Sequence, residues 1–334
     1  MIKIGIAGTG MMGHSHVGGL NANGSDSACY VATCDIDKEK CDAFAEKYGL
    51  KAYYDFDEML KNDDIDIIDV CLPSSMHEEF TVKAAKAGKH ILVEKPIAFT
   101  LEAAQNMYAA AKENGVKLMV AQVLRFWPEY VKIRELIDSG ALGDIRSVYA
   151  SRLGQMPTWA DWYKNPNISG ETLMNLTLHD IDYVHDVFGD PASIYSAGSK
   201  DQYDCYNDVM NIIKFKNGTD VIIDGSLTMP PGYPFTMHMR VLGKKAAVEF
   251  IYKAGENIDA ESSKTSFLLY LPGEGGKDVE FDAYDAYGCE VQYFADCVRD
   301  GKDTEKVTEE SIITVLNSVI KAKESLATGQ VYDL

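Results

Sequence analysis

The chain has 334 residues, 46% hydrophobic and 25% charged, which is apolar material for about two cores and unlike a disordered or fibrous chain. Its formal net charge is −19, with 12 basic and 18 acidic residues over 1–123 and 20 and 33 beyond; acidity spread this way repels phosphate backbones and argues against nucleic-acid partners. No apolar run approaches membrane-spanning length, no signal-like leader precedes Ile2, and the seven cysteines form no C-x-x-C pair, so a soluble, cytoplasmic protein with no membrane partner, disulfide framework or metal is expected.

Ile2-Lys3-Ile4-Gly5-Ile6-Ala7 reads as an apolar strand entering the G-x-G-x-x-G turn Gly8-Thr9-Gly10-Met11-Met12-Gly13. Gly8 permits the tight turn, Gly10 lets backbone approach a pyrophosphate, and Gly13 lets the next helix sit close to the strand. The amide groups opening that helix, at Met11 and Met12, suit phosphate. The alternative is an ordinary glycine-rich turn. A second apolar run, Cys29–Cys34, ends in Asp35, 22 residues past Gly13. An acid there accepts both ribose hydroxyls of an adenosine and repels a 2′-phosphate, so Gly8, Thr9, Gly10, Met11, Met12 and Asp35 are the expected dinucleotide contacts. NAD is favoured over NADP, a preference that nearby Lys38 tempers.

A helix is expected over Met11–Ala22. His14 and His16, two apart and about 200° apart on a helix, cannot chelate together and read as packing or surface residues. Asp37–Tyr48 reads as a helix stopped by Gly49, Lys51–Phe56 as a strand, and Asp57–Leu60 as a helical turn. Strand Ile65–Leu72, helix His77–Ala87, strand His90–Val93, helix Thr100–Asn114 and strand Lys117–Gln122 follow. Strands alternating with helices imply a doubly wound parallel sheet, an α/β class, with ligands beyond the strands' carboxyl ends. Gly8, Asp35, Pro73, Glu94-Lys95 and Gln122 all fall at such ends.

Leu72-Pro73-Ser74-Ser75-Met76-His77 and Ala87-Gly88-Lys89-His90-Ile91-Leu92-Val93-Glu94-Lys95-Pro96 resemble the paired signatures of the Gfo/Idh/MocA oxidoreductases, a family that includes glucose–fructose oxidoreductase and inositol dehydrogenase. The resemblance implies NAD(H) or NADP(H) and oxidation of secondary alcohols of sugars or cyclitols. It also implies that Lys95 is catalytic and that the loop carrying Leu72, Pro73, Ser74 and His77 touches the cofactor. Glu94 either orders Lys95 or contacts the cofactor. As a compact cation at a strand end, Lys95 suits holding a substrate oxygen as an alcohol loses its proton; the alternative is a surface lysine paired with Glu94.

In the second half, Arg125-Phe126-Trp127-Pro128 with Gly140-x-x-Gly143-x-Ile145 matches the family's junction pattern, and Arg125 joins the expected substrate contacts. Glu129–Ser139 reads as a helix and Ile145–Arg152 as a strand. Trp159-Ala160-Asp161-Trp162-Tyr163 is an aromatic segment in which Trp162 and Tyr163 either stack on a sugar or simply pack. In Gly170–Asp182, Asn175 and His179 are four apart and share one helical face. His185 is six beyond His179, about 240° round, so those two histidines cannot share a metal. The segment is similar to the family's Asp-x-Gly-x-His element. His179 is then the general base, with an intrinsic pKa near neutrality; the alternative is a satisfied core histidine. Asn175 replaces the usual aspartate and Thr177 the usual glycine. Asn175 still reaches a substrate hydroxyl but supplies no charge to His179.

Beyond Ser193, Asn211–Lys216 and Asp220–Met229 read as a hairpin about Asn217-Gly218. Strands Phe235–Leu242, Ala246–Tyr252 and Phe267–Leu271 continue the pattern, and helices follow at Tyr287–Phe294 and Thr308–Ala327. This predicts a C-terminal α+β domain with a large open, mainly antiparallel sheet over 124–334, after a Rossmann domain over 1–123. One sheet face remains for a homodimer or homotetramer contact. The expected activity is an NAD-dependent dehydrogenase of a sugar, cyclitol or related polyol, with Lys95, His179 and Asn175 catalytic. Two alternatives are a glycosidase or lyase using NAD transiently, and a non-catalytic sugar- or NAD-sensing regulator.

Overall fold

The computed structural model describes residues 1–157, 161–165, 168–254 and 263–334. By its contacts the chain divides into two units, Met1–Trp127 with Ala283–Ile313, and Pro128–Asp282 with Thr314–Leu334.

The first unit alternates strand and helix. β1 is Ile2–Ala7, α1 Met11–Asn23, β2 Ala28–Cys34, α2 Lys38–Tyr48, β3 Lys51–Tyr53 and α3 Phe56–Leu60. β4 is Ile67–Val70, α4 His77–Lys86, β5 His90–Glu94, α5 Leu101–Glu113 and β6 Leu118–Ala121. All six strands are parallel, in the order β3-β2-β1-β4-β5-β6. β4, β5 and β6 are buried on both faces almost throughout, hence their largely apolar runs. The order reverses between β1 and β4, the point at which sheets of this kind bind ligands beyond the carboxyl ends of their strands. Lys51–Phe56 does not stay extended to its end: Asp55 accepts a hydrogen bond from Glu58 N at 3.0 Å, and the helix begins at Phe56.

A cut at 123/124 misses that Ala283–Ile313 joins this unit. Helix α8, Ala286–Arg299, which follows the second unit's strands in the chain, lies on α1. Gly19 and Gly288 allow the approach, since a Cβ at Gly288 would stand 2.2 Å from Gly19 O. Asn23 closes the contact, donating to Asp285 O at 2.8 Å and accepting from Asp285 N at 2.9 Å.

The second unit begins with α6, Pro128–Asp138, and β7, Ile145–Leu153. A π-helical turn over Leu173–Thr177 runs into α7, Leu178–Phe188. Then come β8 Pro191–Lys200, β9 Tyr206–Phe215, β10 Asp220–Ser226, β11 Thr236–Gly243, β12 Ala247–Lys253, β13 Lys264–Leu271 and β14 Gly275–Asp278. After α8, helix α9 covers Glu309–Thr328 and β15 is Tyr332–Asp333. The nine strands run β14-β13-β12-β11-β7-β10-β9-β8-β15, antiparallel except for the parallel β7–β10 pair. β8, β14 and β15 lie outside the expected strand set. β9 alternates strictly between buried and exposed positions, the mark of a sheet with one covered face. Among the described residues no helix is long and apolar enough to cross a membrane.

Candidate active site

In the first unit, Gly8 sits at φ +103°, and a Cβ there would stand 2.3 Å from Cys71 O; only glycine fits this turn between β1 and β4. A Cβ at Gly13 would stand 2.5 Å from Gly8 O, so α1 packs directly on the turn. Gly10 differs: a Cβ there meets nothing within 4 Å, leaving open space over the loop. No side chain caps α1 at Gly10, whereas α2, α3, α5 and α8 are capped by Asp37, Asp55, Thr100 and Asp285. An open glycine cradle and uncapped amides fit a pyrophosphate.

Asp35 lies beside this loop. Its Oδ2 accepts from Thr9 N at 3.0 Å and Thr9 Oγ1 at 2.7 Å, and its Oδ1 accepts from Asp37 N at 3.0 Å. Buried Thr9 therefore works as the orienter of Asp35. Lys38 Nζ stands 5.2 Å from the centroid of the Tyr54 ring, and Lys40 pairs with Asp37, so both nearby lysines have other partners. Ile36, unremarked in the sequence, is 90% exposed directly after Asp35.

The loop after β4 carries half-buried Leu72 and Ser74 and exposed Pro73. His77 is fully buried, with Nδ1 2.8 Å from Pro96 O and Nε2 2.8 Å from Leu72 O. It ties the loop to the turn after β5. Burial holds its imidazole below the usual range. Lys95 follows β5 and is half-buried. Glu94 is buried, with Oε1 3.0 Å from His16 Nε2 and Oε2 accepting Lys95 N at 3.0 Å. Glu94 thus holds the main chain of Lys95.

Arg125 takes a different place from the expected one. It is buried and donates to Lys306 O at 2.7 Å and to Ser311 Oγ at 3.3 Å, tying its turn to the segment between α8 and α9. A guanidinium directed at the chain's own backbone braces that turn.

In the second unit, every position from Glu171 to His185 is buried except Asn175 and His179, which are half-buried. The two share the open face of this segment. The π turn tightens the match: four residues of α-helix rotate about 400°, and the wider turn lowers this toward a full circle. Asn175 Nδ2 donates to Ser169 O and, at 2.9 Å, to Glu171 O. Both Gly170 and Glu171 beside them are left-handed, at φ +67° and +58°. Glu171 is held there by Tyr206 N, 2.8 Å from its Oε1, and by Lys323, 3.1 Å from its Oε2. An aspartate at 175 would face two carbonyls with no hydrogen to give, which explains the asparagine.

Thr177 is accommodated from the sheet. A Cβ at Gly225 of β10 would stand 2.1 Å from Thr177 Cγ2, so the threonine methyl occupies space that a strand glycine leaves. Below His179, Arg152 of β7 donates from Nε and Nη2 to the two oxygens of Asp180 at 2.9 and 3.0 Å, and the buried pair fixes α7 on the sheet. Tyr163 is half-buried in a short 3₁₀ turn; the side chain of Trp162 lies outside the described residues.

The sequence reading missed His16. It is completely buried, between Asp69 and Glu94. Its distance from those acids in the chain left only its place three residues after Gly13 as a signal.

Residues 2–122 match the family model described as an oxidoreductase family with an NAD-binding Rossmann fold, and residues 130–249 match the GFO/IDH/MocA C-terminal domain. The chain is similar to the scyllo-inositol 2-dehydrogenase (NAD(+)) of Bacillus subtilis, 26% identical over 336 residues covering 98% of this chain and 95% of that one. It is also 26% identical to D-xylose 1-dehydrogenase (NADP(+)) 2 of Haloferax volcanii, over all of both chains. The fold matches the crystal structure of aldose-aldose oxidoreductase from Caulobacter crescentus, with a TM-score of 0.87, 22% identity, and coverage of 100% of this chain and 99% of that one.

Proposed function

This chain belongs to the Gfo/Idh/MocA oxidoreductase family, and from that premise we propose that it is an NAD-dependent dehydrogenase of a secondary alcohol in a sugar, cyclitol or related polyol. The observation that carries the reading is a run of strand ends in one parallel sheet. Gly8–Met12 follow β1, Asp35 follows β2, Leu72–Ser74 follow β4 and Lys95 follows β5. Relatives named as dehydrogenases of an inositol and of xylose support the substrate class.

Bound NAD+ supplies the hydride acceptor. Lys95 holds the substrate oxygen and steadies the charge left as its proton departs. His179 takes that proton in oxidation and returns it in reduction. Asn175 spends its amide hydrogens on Ser169 and Glu171, so a neighbouring hydroxyl donates to its Oδ1. Tyr163 offers an aromatic face to the sugar ring.

One of those relatives is named for NAD and the other for NADP, so the preference rests on residue 35. The anchored Asp35 side chain repels a 2′-phosphate, and Ile36 covers an adenine face. Binding titrations are expected to favour NADH over NADPH, and Asp35→Ala is expected to narrow the gap by about tenfold or more. Equal affinity of the unaltered protein for both cofactors would refute the preference. Absorbance assays with sugars and inositols are expected to yield NADH; product without net NADH would instead favour transient oxidation by a glycosidase or lyase.

The chain assembles with copies of itself through the open face of the nine-stranded sheet. Met210, Ile212, Ile222, Leu242 and Tyr270 are 56, 41, 45, 39 and 37% exposed. Ile222 pairs with Ile212 on one side and Tyr149 on the other, making an apolar band across three strands. Light scattering is expected to give a dimer or tetramer, reduced to one chain's mass by Ile222→Asp; an unaltered monomer would overturn this.

A further inference from the structure

We propose that His16, bridging Asp69 and Glu94, is a positioning residue of the reaction: it fixes the carboxylate that holds the main chain of Lys95. The inference rests on the dehydrogenase reading for the importance of Lys95, and on the first unit alone for its geometry.

His16 comes from α1, Asp69 from β4, Glu94 from the end of β5 and Glu290 from α8. All four are buried. His16 Nδ1 lies 2.9 Å from Asp69 Oδ2, and Nε2 lies 3.0 Å from Glu94 Oε1. Asp69 is otherwise met by donors: Tyr30 OH reaches its Oδ2 at 2.6 Å and Cys71 Sγ its Oδ1 at 3.4 Å. A carboxylate surrounded by donors remains an acceptor, so Nδ1 of His16 carries a proton. Glu94 accepts the Lys95 amide through its second oxygen and meets Nε2 with its first. With both acids accepting, both ring nitrogens donate and the imidazole is a buried cation. Burial opposes that charge, but the Asp69 carboxylate outweighs it and holds the imidazole well above its ordinary range, with the neutral Cys71 thiol 3.6 Å from Nδ1. Glu290 Oε1 stands 3.6 Å from Nε2 and, pushed up by burial, stays protonated. The Tyr287 ring, 6.0 Å away, completes the surroundings.

Such a network is costly: apolar side chains of the same volume usually fill buried space at least as well as a charged cluster. What an apolar filling could not do is orient a carboxylate onto one amide at a strand end. The chain from His16 through Glu94 to Lys95 N does this, at the residue proposed to hold the reacting oxygen. Misplacement of a reacting group by about 1 Å costs on the order of a hundredfold in rate.

The test compares His16→Gln, Glu94→Gln and the double variant with the unaltered protein. Expected are amide exchange at Lys95 about tenfold faster in each variant, and kcat lowered about ten- to a hundredfold with NADH affinity and substrate KM nearly unchanged. The double variant is expected to be no worse than the weaker single, because both changes break one chain. In the unaltered protein, nitrogen NMR is expected to find protons on both His16 ring nitrogens at neutral pH. Unchanged kcat and exchange in folded variants, or a ring nitrogen without its proton, would overturn the proposal. If His16→Gln does not fold, Glu94→Gln and the NMR spectrum still decide. Absence of NADH binding and turnover in the unaltered protein would refute the dehydrogenase reading instead, while exchange and NMR still read the bridge.

Discussion

His179→Ala is expected to lower kcat by about a hundred- to ten-thousandfold, the range lost when a positioned general acid or base is removed. NADH affinity should stay within about threefold, because every proposed cofactor contact belongs to the first unit and the imidazole is proposed to act on the substrate's proton. The fold should tolerate the change: His179 is half-buried and α7 is fixed by the Arg152–Asp180 pair beside it. Lys95→Ala is expected to fall by about a hundred- to a thousandfold, as when one oxyanion donor is removed. Lys95→Arg should restore little, since a planar fork does not replace a compact ammonium. Stopped-flow NADH formation with fluorescence titration separates kcat from binding. Full turnover in either alanine variant would remove that residue from the reaction and favour a sensing role.

Gly8→Ala and Gly10→Ala should fail in different ways. At Gly8 the methyl would meet Cys71 O at 2.3 Å in a left-handed backbone, so the turn between β1 and β4 must shift. A loss of about 3 kcal/mol or more of stability is expected, seen as a lowered denaturant midpoint even without cofactor. At Gly10 the methyl enters open space, so the midpoint should hold while NADH affinity falls by about tenfold or more, because the methyl stands where pyrophosphate approaches. A Gly10→Ala protein that binds NADH normally would show that the loop holds no pyrophosphate.

The glycine turn, Asp35, the strand–helix alternation and the Asn175–His179 face were legible in the sequence because each is a local requirement. A left-handed turn needs glycine, a parallel strand needs an apolar run, and a shared helix face needs a spacing of four. Asp37, Thr100 and Gly49 cap their helices as their residue types suggest. Where the sequence misled, long-range partners decided. Arg125 was expected among the substrate contacts, and the structure turns its guanidinium to the carbonyl of Lys306 and the hydroxyl of Ser311. His77 looked like a loop residue, and two carbonyls took both its nitrogens. Thr177 stood where a glycine is usual, and Gly225, on a strand 48 residues later, supplies the space for its methyl.

By itself the sequence determined the Rossmann-type half, the glycine turn after the first strand, the acid after the second and the residues offered for catalysis, since backbone geometry and periodicity are written within a dozen residues. Only the tertiary structure decided that α8 returns to lie on α1 and that Asn175 is bound to its own loop. It also decided that His16 is caught between acids 53 and 78 residues away. A side chain's charge state and task depend on which groups the fold brings within about 3 Å of it, and no pattern along the chain encodes that neighbourhood.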